Sequence, residues 1–337
     1  MDSLTHVVLG GCLGQLALGK KVGRKAVIWG AIADTVPDLD VFAGFWSHSV
    51  DSLLIHRGIT HSILFATIFP VIMGLLLSRW YKNDKVSWKS WAFLLALGTF
   101  SHIFIDSLTN YGTGLLEPFS TIRFSYTTIF IADPAFTVSM LLAFIVLVFK
   151  SPSLKIKNRF AKTALIISGI YLVGTFINRV HFEKYFNAQF AEQKIKIISQ
   201  SPTPAPLNNI LWGTVARTDS GYYSGFHSLF SKEANTTFHF IPANTVLGSS
   251  VQNNQDYKLL NRFAQGYACI SLNKEAIPVF HDLRFGTATG WSDTIGGFNF
   301  NYPLIIDPKD SSHLANFNPW RSDWEGTRGL WDKILGN

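Results

Sequence analysis

The feature that most constrains the fold is a series of apolar segments in the first half of the chain, separated by short polar or basic links. Six segments can be drawn, at roughly 4–19, 24–40, 59–78, 90–108, 129–149 and 162–180. The last four approach the length of about 20 residues that crosses a bilayer as a helix. The first two are shorter and rich in small residues, as tightly packed or re-entrant helices are. The pattern predicts an α-helical polytopic membrane bundle of about six helices, two of them short.

The sequence changes character after the sixth segment. An amphipathic run from Phe182 to about Ser199 leads into Pro202, Pro204 and Pro206, which mark a boundary. Short apolar or aromatic runs separated by Gly, Asn, Ser and Pro then recur, as in a β-rich domain, at 210–215, 222–229, 236–241, 267–272, 276–280 and 297–302. We therefore predict a membrane domain over 1–182, a linker helix and proline-rich boundary over 183–206, and a small β-rich soluble domain over 207–337.

Composition agrees with one membrane part and one soluble part. Hydrophobic residues make up 47% of the chain, charged residues 15%, and the mean hydropathy is +0.20, between the values of soluble enzymes and of transporters. The net charge of +7 sits in a few links, and no basic stripe interleaved with aromatic residues is present, so we expect no nucleic-acid partner. Cys12 and Cys269 lack a CxxC partner, which excludes a disulfide framework and argues against a thiolate zinc site.

The basic residues predict the orientation in the membrane. The links after the first, third and fifth segments are basic, with Lys20, Lys21, Arg24 and Lys25, then Arg79, Lys82, Lys85 and Lys89, then Lys150, Lys155, Lys157, Arg159 and Lys162. The alternate links hold one arginine each, Arg57 and Arg123. The positive-inside rule therefore places the basic links in the cytoplasm, and both termini and the C-terminal domain on the extracytoplasmic side. Because Met1-Asp2-Ser3 carries no positive charge of the kind that begins a signal peptide, we expect the first segment to be retained.

Histidines and aspartates in the apolar segments share one position in this topology. All lie at the outer ends of the first four segments: His6, Asp34, Asp38, Asp40, His56, His61, His102 and Asp106. The topology was derived from Lys and Arg alone, so this agreement is independent support for one shared site.

Local spacing favours a site but leaves alternatives open. His102 and Asp106 are four residues apart and share a helix face, where a charged group needs a partner in the membrane. An internal hydrogen bond between them that helps the bundle to pack is the alternative. In the acidic run 34–40, Pro37 ends the helix and places the later carboxylates on a turn. Three carboxylates in seven residues repel one another unless cations neutralise them, although a solvated acidic turn is the alternative.

The stretch 56–62 brings two imidazoles together around a break in the helix. His56 and His61 are five apart and would not align on one continuous helix, but Gly58 makes a break there plausible. Arg57 stays protonated and cannot be a ligand, so it either clamps an anionic substrate or lies at the interface with its charge in water. A single histidine near a terminus, such as His6, usually has no role, and only the shared topology makes it a candidate.

These residues predict a polynuclear metal site. Seven are candidate ligands, too many for one zinc, which takes four: His6, Asp34, Asp38, His56, His61, His102 and Asp106. Two or three zinc ions fit better, with manganese or iron as alternatives for a thiolate-free set. Metals about 4 Å apart activate water and stabilise the leaving oxygen at phosphorus. Arg57 would then orient the substrate, and Asp38 or Asp40 would act as base or support.

Four motifs resemble the bacterial YdjM-like membrane-bound metal-dependent hydrolases. They are Asp2-Ser3-Leu4-Thr5-His6, the run 34–40, the run 56–62, and Ser101-His102 through Asp106 to Asn110, covering about the first 130 residues. The resemblance implies a multi-pass protein of the bacterial cytoplasmic (inner) membrane that hydrolyses its substrate with metal ions. More distantly, the His/Asp pattern resembles the zinc-dependent phospholipase C and P1-nuclease group, whose members cleave phosphodiesters.

The sequence therefore predicts a metal-dependent phosphoric ester hydrolase acting on a membrane lipid or lipid-linked substrate. The location of the predicted site at the membrane–water boundary is the basis for the lipid. Two alternatives use the same residues without hydrolysis. One is a metal-ion transport or sensing protein, and the other is a non-catalytic envelope assembly protein that works through the β-rich domain.

Overall fold

The computed structural model describes residues 1–149, 153–287, 297–320 and 329–336. Lys150, one of the predicted basic-link residues, lies outside the described residues. The chain divides into two compact units. The first contains residues 1–43, 55–177 and 206–208, and the second contains residues 44–54, 178–205 and 209–337. The helical N-terminal region and the β-rich C-terminal region that the sequence predicts are both present.

Each of the six predicted apolar segments corresponds to a helix. These are α1 (Ser3–Val22), α2 (Arg24–Ala33), α4 (Ile63–Trp80), α5 (Trp88–Ser107), α6 (Pro134–Phe149) and α7 (Leu154–Glu192), with a short α3 (Ser49–Ile55) before α4. The second segment is shorter than predicted. α2 ends at Ala33, and a 3-10 helix that contains Pro37 follows over Val36–Phe45. The 10 residues of α2 span about 15 Å, half of the apolar thickness of a bilayer.

Two helices in the described ranges are long and apolar enough to cross a membrane, α4 and α7, while α6 is apolar but shorter. The prediction of six spans therefore stays a prediction. The separate linker helix predicted after residue 182 is instead the continuation of α7, which runs for 39 residues without a break. The division between the two units falls within this helix, between residues 177 and 178.

Close helix packing in the first unit joins α1 to α2. Gly10 and Gly14 on α1 face Gly30 and Ala26 on α2 so closely that a Cβ at Gly14 would collide with the Ala26 carbonyl oxygen. The small residues of these two segments therefore serve tight packing, as their composition predicts. In each of the antiparallel pairs α1–α2 and α4–α5, the start of the first helix meets the end of the second. Candidate ligands at those ends are thereby brought together.

The second unit contains two antiparallel sheets. The first has four strands in chain order: β1 (Ser199–Pro204), β2 (Leu211–Arg217), β3 (Gly221–Ser228) and β4 (His239–Pro242). The second has three: β5 (Ala268–Leu272), β6 (Pro278–Asp282) and β7 (Asn301–Pro303). The described part of this unit also contains helices α8 (Gln255–Phe263) and α9 (Leu330–Ile334). The C-terminal turns of α7 contribute Phe182, Phe186 and Phe190, which pack with Trp212 in its core.

Two features of the second unit differ from the predicted domain boundaries. Pro202 and Pro204 lie within β1 rather than in a linker, at the edge of the four-stranded sheet, where proline removes no ladder hydrogen bond. Residues 44–54, predicted to be part of the membrane domain, belong to the second unit. Ser49 shows why, because its Oγ lies 2.5 Å from the Tyr302 hydroxyl and its backbone N–H donates to Asn316.

Candidate metal centre

Four buried ligand atoms from three parts of the chain form a small tetrahedral group. The Nε2 atoms of His61 and His102 are 3.0 Å apart. Asp38 Oδ1 and Asp106 Oδ2 each lie 3.4 Å from His61 Nε2, and 3.5 Å and 3.6 Å from His102 Nε2. A tetrahedron with edges of about 3.4 Å places its centre about 2.1 Å from each corner, the length of a zinc–nitrogen or zinc–oxygen bond. The group therefore has the size of a metal coordination shell.

The hydrogen bonds around the two imidazoles assign their protons. His102 Nδ1 lies 2.6 Å from the Asp34 carbonyl oxygen, which only accepts, so this nitrogen donates. His61 Nδ1 lies 3.1 Å from the Thr60 hydroxyl and 3.2 Å from Asp40 Oδ2; because that hydroxyl donates its proton to Asp40, it accepts from His61 Nδ1, which is therefore protonated. Both Nε2 atoms then present lone pairs to each other across 3.0 Å. A cation between them, either a proton or a metal ion, removes that repulsion, and neighbours that fix the imidazole in this tautomer are typical of metal sites.

Two carboxylate oxygens of the same group are buried without a hydrogen bond. Within the described part of the chain, neither Asp38 Oδ1 nor Asp106 Oδ2 accepts one. The Nε of Arg57 lies 3.0 Å from Asp106 Oδ2 as an ion pair. Leaving a buried polar atom unsatisfied costs about 1–3 kcal/mol, and more when it is charged. Both oxygens lie within 3.6 Å of both Nε2 atoms and within 4.8 Å of each other, so a divalent cation among the four atoms would satisfy them together.

A second group of ligand atoms adjoins the first. It consists of His6, Asp34 and His102. His6 Nδ1 lies 3.0 Å from Asp34 Oδ1, and the His6 and His102 rings stack at 3.8 Å. His6 Nε2 lies 3.1 Å from Asp106 Oδ1. Asp106 therefore directs Oδ2 towards the first group and Oδ1 towards His6, and Oδ1 is also ion-paired with the buried N-terminal ammonium group of Met1.

Asp40 holds the residues around the centre rather than joining it. Its Oδ1 lies 2.8 Å from His56 Nδ1, and its Oδ2 accepts from the Arg57 backbone N–H at 2.9 Å and the Thr60 hydroxyl at 2.7 Å. Among the described residues, His56 belongs to neither buried ligand group, so its role as a ligand stays a prediction. The structure does bring the other six predicted ligands into the two groups.

Arg57 is buried beside Asp106 rather than extended to the membrane surface. Its side chain is 1% exposed, and its backbone has a left-handed φ of 61°. Nη1 donates to the Thr109 hydroxyl at 2.6 Å, and the guanidinium carbon lies 5.2 Å from the centre of the Tyr111 ring. The alternative of an interfacial arginine is therefore wrong, because the guanidinium balances the charge of Asp106.

Comparison with known proteins identifies the family of this chain. The family model described as YdjM inner membrane protein matches residues 1–182. The chain belongs to the YdjM family. It is 33% identical over 124 residues to inner membrane protein YbcI of Escherichia coli (strain K12), covering 36% of this chain and 69% of that protein. It is 29% identical over 234 residues to the uncharacterized protein YfhP of Bacillus subtilis (strain 168), covering 67% of this chain and 68% of that protein. No solved structure matches the chain.

The YdjM match covers both buried ligand groups and ends where the membrane domain was predicted to end. The family description makes this a membrane protein. Sequence reasoning missed the polar side chains that support the ligands in this YdjM protein. Ser101 donates to Asp34 Oδ2, and Arg123 donates to the backbone oxygen of His56 at 2.8 Å. Arg123 carried a signal, because it is the single basic residue of its link.

Proposed function

We propose that this YdjM protein is a membrane-embedded metal-dependent hydrolase that acts on a phosphoester of a lipid or lipid-linked substrate. The observation that carries the proposal is the pair of adjoining buried ligand groups, which have His102 in common and lie on either side of the Asp106 carboxylate. A carboxylate placed between two groups in this way could bridge two ions about 4 Å apart, the spacing in two-metal phosphoesterases. Two zinc ions fit the two groups, manganese or iron is an alternative, and a third ion would require further ligands such as His56.

The residues around the centre would have different roles in hydrolysis. A divalent cation held there would supply the Lewis acidity that activates water and neutralises the oxygen that leaves. Asp38 is the one member of the tetrahedral group with exposed surface, 15%, while the other three are 0% exposed. Substrate would therefore approach past Asp38. Asp40 keeps the His61 lone pair aimed at the centre, and Arg57 holds Asp106 in place with its fixed positive charge.

Exposed apolar side chains beside the centre favour a lipid substrate. Leu39, Val41 and Phe42 are exposed on the same 3-10 helix that carries Asp38 and Asp40. Phe119 and Ile122 are exposed on a neighbouring loop, which is joined to Arg57 by a hydrogen bond from the Gly114 N–H to the Arg57 carbonyl oxygen. Apolar patches of this kind mark membrane or ligand contacts. A phosphoester with an acyl or polyprenyl tail would lie against them.

The proposed topology is the multi-pass one predicted by the basic links. It has six spans, with both termini and the β-rich unit outside the cytoplasm. The pairing of helix ends supports it, because the start of α1 meets the end of α2 at His6 and Asp34. The start of α4 meets the end of α5 at His61 and His102 in the same way.

One observation favours a second candidate, a metal-sensing or metal-holding protein. The tetrahedral group supplies four protein ligands, and zinc sites closed by four protein ligands are usually structural rather than catalytic. In the hydrolase, Asp38 must yield its position or the coordination must expand to admit water. A holding role needs neither change.

The deciding experiment is hydrolysis by the protein purified in detergent. Activity would be measured against bis-p-nitrophenyl phosphate, phospholipids and polyprenyl phosphoesters, together with metal content. We expect metal-dependent hydrolysis that His61→Ala and Asp106→Ala abolish, together with loss of bound metal. His239→Ala, which changes a histidine on β4, is the matched control and should leave both unchanged.

The possible results separate the two candidates. Activity that survives both His61→Ala and Asp106→Ala would show that the site is assigned wrongly. Bound metal that both variants lose, with no hydrolysis of any phosphoester in the panel, would favour the holding role over the enzyme.

A further inference from the structure

Two histidines and an aspartate form a separate cluster in the second unit. His48 lies in the segment 44–54, Asp256 in the first turn of α8, and His313 in the irregular chain after β7. His313 Nδ1 is 3.0 Å from Asp256 Oδ1, and His48 Nδ1 is 3.4 Å from Asp256 Oδ2. The two imidazole rings stack with their centres 4.7 Å apart. None of these residues belongs to the YdjM-matched metal centre of the first unit.

The arrangement has the chemistry of a ligand set. The Nδ1 atom of His48 is buried and makes no hydrogen bond to any residue that the structure describes, although it faces a carboxylate. The Asp256 side chain is 0% exposed, and its Oδ2 is oriented by the backbone N–H of Leu314 at 2.8 Å. One ligand atom from each of the three residues lies within 4.8 Å of the others. Ligand atoms on one tetrahedral zinc are about 3.3 Å apart, and the spacings of the two imidazoles to the Asp256 carboxylate, one to each oxygen, are close to this value.

We propose that His48, Asp256 and His313 bind a single divalent cation of the zinc class. Two imidazoles and one carboxylate are a three-ligand set that suits zinc and leaves its fourth position to water. The imidazoles are 19% and 25% exposed, so this cation exchanges with the solvent outside the membrane. Protonated histidine cannot bind metal, so acid would compete with the cation.

The site joins parts of the second unit that are distant in the sequence. The segment with His48 forms a loop between Asp40 and His56. The side chains of Asp40 and His56 close this loop with a contact of 2.8 Å. A cation at the cluster would fasten the middle of this excursion to α8 and to the chain around residue 313. Cross-links that close long loops remove conformational freedom from the unfolded chain and so stabilise the fold.

The test counts bound metal in the full-length protein purified in detergent. Each variant is stripped with chelator, equilibrated with Zn²⁺, freed of excess ion and analysed by mass spectrometry. The His48→Ala/His313→Ala double variant should bind one zinc fewer per chain than wild type. The His181→Ala/His239→Ala double variant, which also loses two imidazoles, should bind as many as wild type. Asp256→Asn keeps the shape of the carboxyl group, and it should also bind one fewer.

A second arm isolates the new site. In the His61→Ala/His102→Ala background, which lacks the buried centre, one Co²⁺ with the visible absorption of a low-coordinate site should remain. Adding His48→Ala/His313→Ala should remove that absorption. The proposal is overturned if the double variant and Asp256→Asn both retain the wild-type metal content. Asp256→Asn keeps the outcome decisive if the double variant fails to fold.

Discussion

Replacing Asp40 tests the residue that orients the ligands of the buried centre without changing the ligands themselves. The carboxylate contacts four groups: the His56 imidazole, the Arg57 N–H, the Thr60 hydroxyl and the His61 Nδ1. The contact with His61 lies on the side of the ring away from the tetrahedral group. Asp40→Ala removes the negative charge beside Nδ1 and frees the Thr60 hydroxyl, which accepts from Nδ1 while it donates to Asp40, so the Nε2 lone pair is less firmly held towards the metal.

The size of the effect follows from these contacts. Loss of a residue that orients a metal-bound histidine lowers affinity about 10–100-fold, or about 1.4–2.8 kcal/mol. We place Asp40→Ala at the upper end, because four contacts at 3.2 Å or less disappear together. Asp40→Asn keeps one oxygen that can face Arg57, Thr60 and His61, so its loss should be about tenfold.

Zinc affinity would be measured by competition with a chromophoric chelator. The protein would carry His48→Ala/His313→Ala, which removes the proposed site of the second unit, so that only the buried centre contributes. Asp219→Asn, an exposed aspartate of the second unit, is the matched control. We expect zinc affinity to be highest, and equal, in wild type and Asp219→Asn, lower in Asp40→Asn, and lowest in Asp40→Ala. Wild-type affinity in Asp40→Ala would refute the orienting role.

Three further predictions concern packing, metal removal and a buried thiol. Gly14→Ala should destabilise the first unit by about 1–3 kcal/mol and lower its metal content, because the methyl group meets the Ala26 backbone; Gly169→Ala, where a Cβ meets nothing within 4 Å, should be tolerated in the same thermal unfolding assay. Chelator should lower the melting temperature of wild type, and Zn²⁺ should restore it, whereas the midpoint of His61→Ala/His102→Ala should be unaffected. Burial raises the pKa of Cys269 to about 12, so maleimide at neutral pH should label it only after denaturation; rapid labelling of native protein would contradict its burial.

The sequence predicted the parts of the centre that depend on helix ends. His102 and Asp106 share a helix face because they are four residues apart, and Pro37 stops α2 so that Asp38 lies on a 3-10 helix. The alternation of basic links then predicted that His6 and His61 lie at the same end of the bundle. Each step used local spacing or a charge count, and six of the seven predicted ligands meet in the structure.

Longer-range features could not be predicted in this way. Segment 44–54 is a few polar and apolar residues without periodicity, and it packs in the second unit through contacts such as Ser49 with Tyr302, 253 residues later in the chain. An interfacial position remained an alternative for Arg57 in the sequence because its burial depends on Asp106 and Thr109, which follow about 50 residues later. The length of α7 was missed because its charge content rises after Phe182 while its helical periodicity continues.

The most direct test of the account is X-ray absorption on the metal bound to full-length protein that carries His48→Ala/His313→Ala. We expect nitrogen and oxygen ligands at about 2.0–2.2 Å, the scattering pattern of imidazole, no sulfur, and loss of the bound metal when His61→Ala/His102→Ala is added. A metal-free native protein, a sulfur ligand, or a spectrum that His61→Ala/His102→Ala leaves unchanged would contradict it.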